Sequence, residues 1–107
     1  MAKENSFQSK LIKELKTMFP GCYVLKNDAG YIQGFPDLTI LTEHGWAVLE
    51  CKASANADHQ PNQDYYVEDL NKKSFSAFIY PENKEQILHE LQQAFTAGRT
   101  ARISGRK

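Results

Sequence analysis

Residues 34–52, GFPDLTILTEHGWAVLECK, decide how this chain folds and what chemistry it carries. Two apolar runs, Leu38–Leu41 and Trp46–Cys51, flank a turn around His44-Gly45, and runs of this kind on either side of a short turn read as a β-hairpin. Side chains two apart along a strand leave from the same face, so Glu50 and Lys52 project together while Cys51 turns the other way, into the core. Charges that end a run as apolar as Trp46-Ala47-Val48-Leu49 are costly to bury unless they are paired or hold a metal. Directly opposed residues of an antiparallel pair share a face. A two-residue turn at His44-Gly45 sets Asp37 opposite Lys52, and a four-residue turn from Thr42 to Gly45 sets it opposite Glu50. A three-residue turn sets Asp37 opposite Cys51, on the wrong face. An even-length turn or a bulge is therefore expected, with Asp37 and Glu50 one strand spacing, about 5 Å, apart.

Outward from the hairpin, Phe7, Leu11, Leu15 and Met18 recur at helical spacing, with Ile12 widening the stripe, and predict an amphipathic helix over residues 4–18 that Pro20-Gly21 ends. Cys22–Lys26 reads as a short strand, and Asn27 to Pro36, rich in Gly, Asn and Asp, as a loop. Beyond the hairpin, Ala53 to Gln60 is polar and loop-like, and Pro61 suits the first turn of a helix running to Lys72. Phe75–Tyr80 is a further strand. Asn83 with Gln86 resembles a capping box, ahead of Ile87, Leu88, Leu91, Ala94 and Phe95 at helical spacing and a stop at Gly98. The predicted fold is α/β, ordered α-β-β-β-α-β-α, with a central mixed sheet flanked by helices. One domain spans residues 1–97, and a basic tail spans 98–107.

A chain of 107 residues suits a single core, to which Phe75, Phe78, Tyr80 and Phe95 are expected to contribute much. The net charge is zero but uneven: Arg99, Arg102, Arg106 and Lys107 give the tail +4, leaving −4 on residues 1–97. A basic tail can grip phosphates, whereas a slightly acidic body suits an enzyme that gathers cations better than it suits a simple DNA-binding surface. Cys22 and Cys51 both lie in apolar runs and read as reduced, buried thiols, and no paired Cys/His zinc pattern exists. There is no apolar leader and no run approaching the ~20 apolar residues of a membrane span, so a cytoplasmic location is expected.

Carboxylates, water and phosphate oxygens are the ligands Mg²⁺ prefers, and Asp37 and Glu50 supply the first of these. The backbone carbonyl of Cys51 is a further candidate ligand. Lys52, beside two carboxylates, is expected to serve as a cation that orients the nucleophile and stabilises transition-state charge rather than as a general base.

Pro36-Asp37 followed by Glu50-Cys51-Lys52 resembles the motif of the PD-(D/E)XK nuclease superfamily. An early acidic helix, Gly34-Phe35-Pro36-Asp37 leading into a strand, and glutamines after the lysine look like its virus-type replication-repair (VRR-NUC) branch. Over residues 4–80 the chain also resembles archaeal and phage Holliday-junction resolvases. The resemblance implies a restriction-endonuclease-like fold and Mg²⁺- or Mn²⁺-dependent hydrolysis of DNA, often branched, by a phage-borne homodimer. It also implies a helical acid, for which Glu4 matches better than Glu14, and a glutamine, for which Gln60 matches better than Gln63. The implied metal set is Asp37, Glu50, Glu4 and the Cys51 carbonyl. Lys26 is placed to meet a phosphate, His59 is near the site in sequence, and Tyr65 and Tyr66 can stack on bases; for each, an ordinary solvated or packing role is the simpler reading. The apolar face of the last helix, near Leu88 and Phe95, is one candidate dimer surface. A non-catalytic DNA-binding or interaction module, and a general single-strand or duplex nuclease, are the competing functional readings.

Overall fold

The computed structural model describes the backbone of residues 2–98 and the side chains of residues 5–96. Four strands form one sheet in the order β1-β2-β3-β4: β1 Tyr23–Lys26, β2 Leu38–Thr42, β3 Gly45–Cys51 and β4 Phe75–Ile79. β1, β2 and β3 are antiparallel neighbours, and β4 joins β3 in parallel. A parallel pair needs a crossover, here the helix α2, Pro61–Lys73; α1 spans Ala2–Met18, and α3, Lys84–Gln93, runs into one π turn, Ala94–Gly98. The order is the α-β-β-β-α-β-α anticipated from the sequence. Beyond Gly98 the basic tail lies outside the described residues. Among the described residues no helix is long and apolar enough to cross a membrane.

The hairpin register is even. Leu38 pairs with Leu49 and Leu41 with Trp46, as the four-residue alternative requires, and the ladder continues one pair further, to Thr42 and Gly45. The loop itself is therefore Glu43-His44. Thr42 Oγ1 tightens it by accepting the His44 N–H at 3.0 Å and donating to the Gly45 carbonyl at 3.0 Å. Gly45 takes a φ of 144° there, in the left-handed range that a side chain would disfavour.

This register sorts the strands into two faces. Leu38, Ile40, Ala47, Leu49, Cys51 and Ile79 form one, fully buried against Leu11 and Leu15 of α1 and Ile87, Leu88 and Leu91 of α3. A 2.8 Å ion pair from Lys84 to Glu14 also joins these two helices. The aromatic share of the core differs from expectation. Phe95 is buried and meets Phe19 edge-to-face at 5.3 Å, but Phe75, Phe78 and Tyr80 are only partly buried, so the core is mainly aliphatic. Leu88 and Phe95 are only 7% and 3% exposed, which removes them as a dimer surface: that apolar stripe is spent on the sheet. Asn83 does precede α3, but it forms no capping box. Its side chain turns back to β4, accepting the Tyr80 N–H at 2.8 Å and donating to the Phe78 carbonyl at 3.1 Å. Both cysteines are free thiols. Burial pushes the Cys22 thiol above its usual range, with Lys16 pulling weakly the other way.

Candidate active site

The second face of the sheet is built differently. Its apolar positions give way, at the C-terminal end of β3, to two charges that are almost completely buried: Glu50 is 3% exposed and Lys52 8%. One step beyond the last β2–β3 pair, the same register brings Asp37 opposite Glu50. Asp37 Oδ2 accepts the Cys51 backbone N–H at 2.9 Å, which fixes its carboxylate against the end of β3. Behind it, the Asn27 N–H donates to the Asp37 carbonyl at 2.7 Å, and the Asn27 amide bridges the Pro36 carbonyl and Thr39 Oγ1, both at 2.8 Å. The strand therefore begins its ladder with Asp37 already oriented.

Buried charges survive only when their hydrogen-bonding capacity is met. Lys52 Nζ donates to the Asp58 carbonyl at 2.9 Å and to Gln63 Oε1 at 2.8 Å, with Glu50 Oε2 at 3.8 Å. An ammonium has three N–H bonds, so two are committed to neutral acceptors and the pair with Glu50 is a loose one. Gln63 completes the link by donating from Nε2 to Glu50 Oε2 at 3.0 Å. Its Oε1 also accepts the Gln60 N–H at 2.9 Å. One amide thus ties the first turn of α2 to Glu50 of β3 and to Lys52 just beyond it.

The sequence-derived glutamine therefore needs correcting: Gln63 enters the site, and Gln60 does not. Gln60 is the N-cap of α2, with extended dihedrals (φ −84°, ψ 147°), so its exposed side chain is off the helical face shared by Gln63 and Val67. Pro61 at the first helical position was the available signal, because it makes residue 60 the cap. Glu14 is engaged by Lys84 and does not join the group. Glu4 lies in α1, with its side chain outside the described residues. Lys26 is exposed at the end of β1, and its pairing with Leu38 puts it on the opposite face from Asp37. The His59 ring stacks on Phe78 at 3.9 Å, and its Nδ1 lies 3.0 Å from Asp64 Oδ1. Tyr66 packs edge-on against Phe35 at 5.5 Å, while Tyr65 remains exposed. The anchoring roles of Asn27 and of the Asp58 carbonyl carried no sequence signal, since each depends on loop closure.

The donor set suits a hard cation held lightly. Among the described residues no cluster of three or more His, Cys, Asp or Glu side chains could hold a metal. Asp37 and Glu50 offer two carboxylates, and Cys51 only a backbone carbonyl because its thiol belongs to the core. Mg²⁺ is usually bound in this way, by one or two carboxylates with water and substrate phosphate, not by a full protein cage. No protein-family model, curated protein or solved structure matches the chain.

Proposed function

We propose that this chain is a Mg²⁺-dependent endonuclease that hydrolyses DNA phosphodiester bonds, acting on branched DNA in the cytoplasm of a bacterial or phage-infected cell. The observation that carries this reading is the burial of Glu50 and Lys52, 3.8 Å apart at the end of an apolar strand, opposite a separately anchored Asp37. A structural ion pair needs no third charge. A site that must gather a cation and a phosphate needs carboxylates and a fixed positive group together.

Bound Mg²⁺ would polarise the phosphate and lower the pKa of an attacking water. Asp37 and Glu50 would hold the ion, with Glu4 and the Cys51 carbonyl as further ligands implied by the superfamily resemblance. Lys52, held by Asp58 and Gln63, would stabilise charge developing on the phosphate without having to reorganise. Gln63 would keep acid and cation in register. Selectivity for branched DNA and a homodimeric state rest on the resemblance alone; two cuts across a junction are simplest with two symmetry-related sites.

Cleavage of a four-way junction, a splayed arm, linear duplex and single strand, each with Mg²⁺, Mn²⁺ or EDTA, tests the proposal. Metal-dependent, symmetric cutting of the junction is expected. Metal-dependent cutting of the other forms alone would replace the role while keeping the site. No cutting in any condition would leave a binding module and refute the catalytic reading.

A further inference from the structure

The loop between β1 and β2 is more than a connector. It is closed at its base by Asn27, which bonds the main chain of Pro36 and Asp37, and it is clamped to α2 at its far side. Asn62 Nδ2 donates to the Gln33 carbonyl at 3.0 Å, and Gly34, at φ 87°, packs so closely on Asn62 that a Cβ there would lie 2.5 Å from its Cγ. The neighbouring Phe35 is backed by Tyr66, which in turn meets Tyr65 at 5.2 Å. Within this frame lies a cavity of about 430 Å³, lined by Asn27, Asp28, Tyr31, Ile32 and Phe35. Its volume is in the range of about 300–1,000 Å³ that ligand clefts occupy. Phe35, on its wall, is two residues from Asp37.

The lining selects its occupant. Tyr31 is 85% exposed and holds an aromatic ring in solvent at the cavity mouth. Among the described residues no Lys or Arg lines the cavity, and the Asp28 carboxylate disfavours a phosphate while being able to accept from the amino edge of a base. Aromatic side chains take up single-stranded bases by stacking, and a base can fill a pocket only after leaving the duplex stack.

We propose that this cavity binds one unpaired nucleobase of the nucleic acid to be cut, so that an unstacked nucleotide beside the scissile phosphate selects the site of cleavage. The inference rests on the nucleic-acid substrate proposed above and adds the feature of that substrate which is recognised.

Binding of a single-stranded oligonucleotide carrying one 2-aminopurine, measured in EDTA so that no cleavage is needed, tests it on the full chain. The wild type should quench the 2-aminopurine fluorescence and prefer this oligonucleotide to a blunt duplex. Tyr31→Ala should abolish the quenching and weaken binding about 10-fold or more, while Tyr31→Phe should keep both. Equal quenching by Tyr31→Ala, equal affinity for blunt duplex, or no binding at all would overturn the pocket. So would a change of oligomeric state in Tyr31→Ala with quenching intact, which would make the surface a contact between copies. Quenching that behaves as expected in a protein that never cuts DNA would instead uphold the pocket and refute the nuclease.

Discussion

The two faces of the sheet use the same strands to opposite ends. Leu38, Ile40, Leu49 and Ile79 on one face are closed off completely by α1 and α3, and nothing polar is asked of them. On the other face, α2 covers β3 and β4 but leaves Tyr23, Leu25 and Leu41 exposed on β1 and β2, and the covered part includes Glu50, Lys52 and Ser76. Ser76 Oγ is buried with no hydrogen-bond partner among the described residues. Burial of apolar area drives one face, whereas the other accepts desolvated charge and holds it through Gln63 and the Asp58 carbonyl.

The contrast is broken most strongly from the packed side. Leu49→Ala should cost about 2–5 kcal/mol through lost burial and an unfilled cavity, and should lower Tm by on the order of 10 °C or more in thermal unfolding. Next, Gln63→Ala should cost about 1–3 kcal/mol, because it removes one acceptor from Lys52 and one donor from Glu50 together, and cleavage should fall with it. Gln60→Ala, at an exposed cap, should stay within about 0.5 kcal/mol and leave cleavage unchanged. Denaturant titration of the two variants side by side separates these outcomes.

The smallest effect concerns Cys22, at the margin of the packed face. Burial favours its neutral thiol, so the folded chain keeps a proton that the unfolded chain releases. Its contribution is therefore complete below the usual thiol range and declines as pH rises past about 8.5. Cys22→Ala should flatten that alkaline decline when unfolding is compared at about pH 7 and about pH 9.5.

The packed face was legible in the sequence because strand alternation and helical spacing are both local. Leu38–Leu41, Trp46–Cys51 and the α1 stripe could be assigned from them directly. The same alternation paired Glu50 with Lys52 and limited Asp37 to an even register. What could not be read depends on contacts between distant segments. The resemblance points to Gln60, but residue 60 is the cap with extended dihedrals, and only the folded first turn of α2 shows that Gln63 is the glutamine that reaches both charges. For Leu88 and Phe95, amphipathicity shows that a stripe must be covered but not by what, and it is the chain's own core that covers it. Asn83 has the composition of a capping box, but the end of β4 competes for its side chain and wins.

Asp37→Asn tests most directly whether the charged face is a metal-dependent nuclease site. Asparagine keeps an oxygen to accept the Cys51 N–H but loses the charge. Cleavage rate in Mg²⁺ and Tm should be measured on the same preparations. A nuclease site predicts Tm within a few degrees of wild type and cleavage reduced at least about 100-fold. Cleavage at the wild-type rate, or equal cleavage in EDTA, would contradict it and leave Asp37 as a structural anchor for β3.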